Sequence, residues 1–294
     1  MTCRMKDKSI TVIGTGALGI VLTRVLHANR FEIKSLFNRT PVKTASISND
    51  LKNIISGTFP ESKADLGDLV FLTVPDREIK LVTDKLAELG NDFSDRMIIH
   101  CSGNHTSDVL QSVKQKGAAV GSFHPLQTFT AATDLSAFND IYIDIEGDRD
   151  AVSLLKELAF RLGSQPIVIS KQAKPYLHAA AVMASNYVAA LVESAGQIAE
   201  LGGIDKKEAQ RALIPLLLQS AENITESDNL TNALSGPILR GDAETVEHHL
   251  QLLEQNSRLL KLYKHLGKKL IESMNSDQKT ITDKHEDIRK LLAD

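Results

Sequence analysis

Six residues, Gly14-Thr15-Gly16-Ala17-Leu18-Gly19, follow the β-branched run Ser9–Ile13 and open an apolar helical pattern over Ala17–Ala28. In a strand–turn–helix setting this G-x-G-x-x-G spacing suits a dinucleotide. The first glycine permits a tight turn, Gly16 lets a pyrophosphate approach the backbone, and Gly19 lets helix and strand pack closely. Free amides and the macrodipole at the helix start favour the negative charge of the phosphates.

The second strand ends at Leu36-Phe37-Asn38-Arg39-Thr40, where a coenzyme lacking the 2′-phosphate would usually meet an Asp or Glu. This chain places Asn38 there, 24 positions after Gly14, followed by Arg39 and Thr40, with Lys43 one helical turn on. A carboxylate repels a 2′-phosphate, whereas a guanidinium binds it bidentately at ~1.5–3 kcal/mol for each charge-assisted bond. The expected cofactor is therefore NADP. The turn Leu72-Thr73-Val74-Pro75-Asp76 leads into another helix, and Val74 and Pro75 are expected to pack on the ribose or nicotinamide.

Two further strand ends carry polar groups toward the same crevice, His100-Cys101-Ser102-Gly103-Asn104-His105 and Gly121-Ser122-Phe123-His124-Pro125-Leu126-Gln127. An imidazole at His124 can exchange a proton near neutral pH, and Ser102 can hydrogen-bond a substrate oxygen. Later, His178 begins a helical stripe that returns at Ser185, with Asn186 beside it, and Ala179–Ala181 keep the helix slim. In the loop Ser235–Asp242, Asp242 is an expected N-cap and Arg240 a possible anion contact. His248 and His249 lack partners at ligand spacing and read as solvated.

The elements that must position these groups fall into two stretches. Up to about residue 170, the runs Ser9–Ile13, Phe31–Phe37, Leu69–Val74, Met97–Cys101, Ala118–Phe123, Ile141–Ile145 and Pro166–Ile169 read as strands alternating with helices. Apolar residues on both faces suit a buried parallel sheet, so the fold class is α/β, doubly wound. Beyond Ser170 the pattern is all helical. One amphipathic helix is expected from Leu177 through Ile198, stopped by Gly202-Gly203; others follow over Lys206–Asn223, kinked at Pro215, over Ala243–Lys269, and near Asp283–Ala293. The expected domains are 1–170, for the dinucleotide, and 171–294, all helical, for substrate.

Composition narrows the function class. The 294 residues carry 34 basic and 37 acidic side chains, nine Phe, four Tyr and no Trp, which offers neither a basic footprint nor stacking platforms for nucleic acid. Two cysteines, Cys3 and Cys101, cannot staple a chain this long, and no Cys/His spacing resembles a metal site. No apolar run approaches the ~18 residues of a membrane span, and the start lacks signal-peptide character. A cytoplasmic protein, without a nucleic-acid or membrane partner, is the expectation.

Together, Gly14–Gly19, Asn38-Arg39-Thr40, Gly121–Phe129 with its His-Pro-Leu-Gln, His178 through Asn186-Tyr187, and Ser235-Gly236-Pro237 with Arg240-Gly241-Asp242 resemble a known family. It comprises Rossmann-like proteins with a C-terminal helical domain of unknown function, in the wider group of pyrroline-5-carboxylate reductases, prephenate dehydrogenases and 6-phosphogluconate-type dehydrogenases. The resemblance spans nearly the whole chain and implies a homodimer paired through the helical domain. In prephenate dehydrogenases a serine after one strand and the histidine of a His-Pro motif after the next address the substrate hydroxyl, and Ser102 and His124 match those positions. Leu126-Gln127 depart from that family's methionine and glycine, and no arginine set suits a dicarboxylate. The Lys-x-x-x-Asn of β-hydroxyacid dehydrogenases is missing; Lys174, His178 and Asn186 lie at other spacings, so a lysine acid is not carried over.

The expected activity is an NADP-dependent oxidoreductase acting on a small carbonyl, imine or hydroxy compound between the domains. His124 would be the acid or base, Ser102 an orienting hydrogen bond, and His178 with Asn186 part of the pocket wall. The alternatives are a non-catalytic NADP sensor or interaction protein, and a prephenate-type dehydrogenase.

Overall fold

The computed structural model describes residues 8–40, 51, 54–130, 133–276 and 282–293. Strands β1 (Ser9–Ile13), β2 (Glu32–Phe37), β3 (Ile55–Gly57), β4 (Leu69–Leu72), β5 (Met97–His100), β6 (Ala119–Pro125), β7 (Tyr142–Gly147) and β8 (Gln165–Val168) form one sheet in the order β3-β2-β1-β4-β5-β6-β7-β8. The α/β expectation holds. Seven of the eight expected or observed strands coincide within a residue or two; β3 is the addition, a three-residue edge strand too short to leave a hydrophobic signature.

Every pairing is parallel except β6 with β7, which run antiparallel. The reversal puts His124 directly opposite Asp144 and Ser122 opposite Glu146. Alternate side chains feed two cores. Leu69 and Phe71 of β4 belong to one apolar cluster, whereas Val70 and Leu72 belong to the other. Along the second face, apolar gives way to polar across one register row: Leu72, His100, Ser122 and Glu146.

Helix α1 (Ala17–Ala28) lays Val21, Leu22, Val25 and Leu26 into the first cluster, each burial contributing about 1.5–3 kcal/mol. Helices α2 (Asp76–Glu88) and α3 (Arg149–Arg161) complete the layers, burying Ile79 and Leu86 from the former and Leu155 and Leu158 from the latter.

The chain divides into two compact units, Met1–Ser185 and Asn186–Asp294. The single helix expected through 177–198 is two. Helix α4 (Lys174–Ala184) ends at Ser185, which leaves helical geometry at φ -123 and ψ -70, and α5 (Asn186–Leu201) starts at the next residue. Ser185 Oγ bonds the Ala181 carbonyl at 2.7 Å, a local bond that competes with the helical ladder. Helix α4 therefore counts with the sheet.

In the second unit, α6 (Lys206–Glu226) contains Pro215 as expected, and Gly203 at φ +83 stops the chain after α5. The expected 243–269 helix is also divided, into α7 (Ala243–Leu253) and α8 (Ser257–Ser276), with the Asn256 side chain accepting from the Leu259 amide. Asp242 caps α7 by accepting from the Thr245 amide, and α9 (Asp283–Leu291) follows. Among the described residues, no helix is long and apolar enough to cross a membrane.

Candidate functional site

The carboxyl ends of parallel strands β1, β4, β5 and β6 share one edge of the sheet, and the candidate residues gather there. Gly14 takes φ +107, and a Cβ on it would stand 2.7 Å from the Thr73 carbonyl carbon. At Gly19 a Cβ would lie 2.0 Å from the Gly14 oxygen. Gly16 is different: nothing lies within 4 Å of where its Cβ would be. Two glycines thus serve the turn itself, and the middle one leaves an open approach to the backbone.

The turn is tied to its neighbours. The Gly14 amide donates to the Phe37 carbonyl at 2.8 Å, and Thr73 Oγ1 donates to the Gly14 carbonyl at 2.6 Å. Asn38 Oδ1 accepts from the Thr15 amide at 3.3 Å, while its Nδ2 donates to the Thr40 carbonyl at 2.9 Å. Asn38 is therefore a strap between the turn and the end of β2. Thr15 Oγ1 is buried and unpartnered among the described residues.

Arg39 is exposed, and among the described residues it makes no ion pair; Thr40 is exposed as well. Lys43 lies outside the described residues. Ala17 and Leu18 are half-buried in the first turn of α1, whose N-cap Gly16 brings no capping side chain. Val74 packs partly on the second core, and Pro75 caps α2. An uncapped helix start, the open approach at Gly16 and an exposed guanidinium fit the pyrophosphate and 2′-phosphate of a dinucleotide.

Ser102 lies 5% exposed, and its hydrogen-bonding capacity is taken up locally. Its Oγ donates to Asp76 at 2.8 Å and accepts from the Asn104 and His105 amides, both at 3.1 Å. Beneath it, His100 Nδ1 accepts from the Ser102 amide at 3.2 Å. Burial pushes the His100 pKa down to about 3, and the positive charge of Lys174 acts in the same direction. Burial likewise pushes the neighbouring Cys101 thiol up to about 12. Neither group is a reactive one at neutral pH.

His124 presents the richest geometry. Its Nδ1 is 2.6 Å from Asp144 Oδ2, and the other carboxylate oxygen accepts from Lys174 Nζ at 2.5 Å. Asp144 is 1% exposed and Lys174 not at all. The ring of His178, one turn along α4 from Lys174, meets that of His124 edge-on at 5.8 Å between centroids. Both imidazoles close on Gly103, where a Cβ would stand 2.4 Å from His178 Nδ1 and 2.6 Å from His124 Cε1. His178 Nδ1 is buried and unpartnered among the described residues. Asn186 opens α5 in the second unit and is hydrogen-bonded or otherwise engaged.

Sequence reading finds His124 and His178 but passes over the groups that hold them. Asp144 lies within a strand pattern, Ile143-Asp144-Ile145-Glu146, whose two acids on a strand buried on both faces were the available signal. Lys174 adjoins Pro175, a helix-start mark, and its spacing from Asn186 only excludes it as a lysine acid, with nothing pointing to Asp144. His249 is also less solvated than its sequence context suggests, being 2.8 Å from the Tyr263 hydroxyl.

Comparison with known proteins fits this architecture. A Rossmann-like domain model matches residues 2–125, and the model of a domain of unknown function, DUF2520, matches 141–270. No curated protein matches the chain. Among solved structures, protein TM1727 from Thermotoga maritima is 28% identical, with 92% of this chain and 100% of that one covered and a TM-score of 0.74. A pyrroline-5-carboxylate reductase from Coxiella burnetii is 19% identical, covering 90% and 98%, with a TM-score of 0.59. A reductive aminase from Aspergillus terreus, in complex with NADPH and ethyl-5-oxohexanoate, is 14% identical over 96% and 99%, with a TM-score of 0.61. The two models thus match consecutive stretches of the chain, and the solved structures share its fold.

Proposed function

We propose that this chain is an NADP-dependent oxidoreductase acting on a small carbonyl, imine or hydroxy compound. The observation that carries the reading is that an open glycine turn and a carboxylate-held imidazole occupy the same edge of one sheet, at the ends of β1 and β6. In doubly wound folds that edge is where ligands bind. The fold shared with a reductive aminase in complex with NADPH supports the same cofactor class.

When bound, the nicotinamide coenzyme would supply or accept the hydride. Gly14–Gly19 would hold its pyrophosphate, Asn38, Arg39, Thr40 and Lys43 its adenosine phosphate, and Val74 and Pro75 its ribose or nicotinamide side. His124 would give a proton to the substrate oxygen or nitrogen as the carbon is reduced, and take one back in the opposite direction. His178, whose ring meets that of His124, would shape the substrate pocket. Ser102, whose hydroxyl is committed to Asp76 and two amides, would act by holding the Gly103 loop under the imidazoles.

The reading includes a cytoplasmic homodimer paired through the second unit. Helices α5 and α6 support it, because each buries a single residue, Gly196 and Ala209, and leaves Leu191, Ile198, Leu216 and Leu218 exposed. Cytoplasmic placement rests on the two-cysteine content and the buried free thiol of Cys101.

Calorimetric titration tests the cofactor assignment. NADPH should bind at least about tenfold more tightly than NADH, and Arg39→Ala should erase the difference. Equal dissociation constants in the wild type would overturn it. A screen of NADPH consumption over keto acids and imines, and of NADP reduction over hydroxy acids, tests catalysis with His124→Ala as the control. Tight NADPH binding with no turnover would instead favour the binding-only alternative.

A further inference from the structure

The pairing of Lys174 with Asp144 needs a reason, since a lysine with no exposed surface is costly unless its charge is fully met. Asp144 has two oxygens and divides them, Oδ1 for Lys174 at 2.5 Å and Oδ2 for His124 at 2.6 Å. The antiparallel β6–β7 register makes the histidine and the aspartate direct cross-strand partners, and the first turn of α4 delivers the lysine to the same carboxylate. With its Nδ1 occupied, His124 turns its remaining nitrogen toward Gly103, where a Cβ would be 2.8 Å from Nε2. Only glycine allows the two imidazoles to close over that loop.

Resting on the oxidoreductase reading, we propose that Lys174 and Asp144 are positioning residues which fix the tautomer of His124. Asp144 accepts the Nδ1 proton, and Lys174 holds the carboxylate in the orientation that keeps Oδ2 on the ring. The hydrogen bond made by one ring nitrogen sets the state of the other. Nε2 is consequently the atom left to exchange a proton with substrate. Lys174 itself is sealed from solvent and committed to Asp144, so it is a brace and not the proton donor.

Long-range 1H–15N spectra of histidine-labelled protein, with His124 assigned through His124→Gln, read the tautomer directly. The wild-type neutral ring should carry its proton on Nδ1, a result that requires neither a variant nor turnover. Lys174→Met and Asp144→Asn should each let the Nε2–H form appear, and Lys174→Arg should restore the wild-type pattern. In a responsive assay, Lys174→Met should lower kcat at least about tenfold while KM and the NADPH dissociation constant stay within about twofold. An Nε2–H tautomer in the wild type would overturn the proposal, as would an unchanged His124 spectrum in both Lys174→Met and Asp144→Asn. Failure of NADPH to bind would remove the redox reading and leave this spectroscopic result standing on its own.

Discussion

The glycine turn and the His124 cluster sit on the same edge of one sheet but are built by different physics. The turn is made of backbone: Gly14, Gly16 and Gly19 lie within six residues, and the constraints on them are sterical ones read from φ +107 at Gly14 and from close contacts at Gly19. The cluster is made of side chains drawn from β6, β7 and α4, closing over the Gly103 backbone, and it holds because a buried carboxylate meets a lysine and an imidazole at once. The glycines of the turn are close together in sequence, although Thr73 at the end of β4 packs against both Gly14 and Gly19. A site assembled from distant segments is only as firm as its weakest buried charge.

Emptying the centre of the cluster has the largest expected effect. Asp144→Ala leaves Lys174 buried without its partner and should cost about 3–5 kcal/mol in urea denaturation. Asp144→Ala combined with Lys174→Met should recover much of that loss, because the uncompensated charge is gone. A loss under about 1 kcal/mol for the single variant would mean that the ion pair contributes little and the two regions are alike.

Gly19→Ala tests the turn. The new methyl would meet the Gly14 oxygen at 2.0 Å and Thr73 Oγ1 at 2.6 Å, so backbone must shift. A cost of about 1–3 kcal/mol is expected, together with loss of NADPH binding by calorimetry. The His124 spectrum should remain that of the wild type. Disturbance of both sites by this one substitution would show that they are coupled.

A pH-dependent effect, spread over several pH units, concerns His100, whose Nδ1 accepts from the Ser102 amide. Its folded pKa of about 3 lies under the ordinary value of 6.5, so between these pH values the unfolded chain binds more protons. The contribution to stability is complete above pH 6.5 and is lost as pH falls toward 3. The slope from this group is on the order of 1 kcal/mol per pH unit. Denaturation midpoints from pH 7 to 4 should fall less steeply in His100→Asn, and identical slopes would show that His100 is not the buried neutral group described above.

Much of the fold was legible because its determinants are local. The β1–turn–α1 segment was readable to the residue, since a β-branched run, three spaced glycines and an apolar stripe each impose their own geometry. The breaks at Ser185 and between Leu253 and Ser257 were not legible, because the apolar spacing continues across both and only a side-chain bond or cap interrupts the ladder. The site was half visible. His124 stands beside a proline at a strand end, whereas Asp144 and Lys174 carry no local mark of their partnership.

What this sequence determined alone was the order of strands and helices, the glycine cradle, and the guanidinium at Arg39 in place of an acid. Backbone sterics and side-chain periodicity act over a few residues and are written along the chain. What the tertiary structure alone decided was the reversed pairing of β6 with β7, and through it which carboxylate faces His124. Strand direction and register are properties of two distant segments packed together, so the 20-residue separation of His124 and Asp144 becomes a 2.6 Å contact only in the folded sheet.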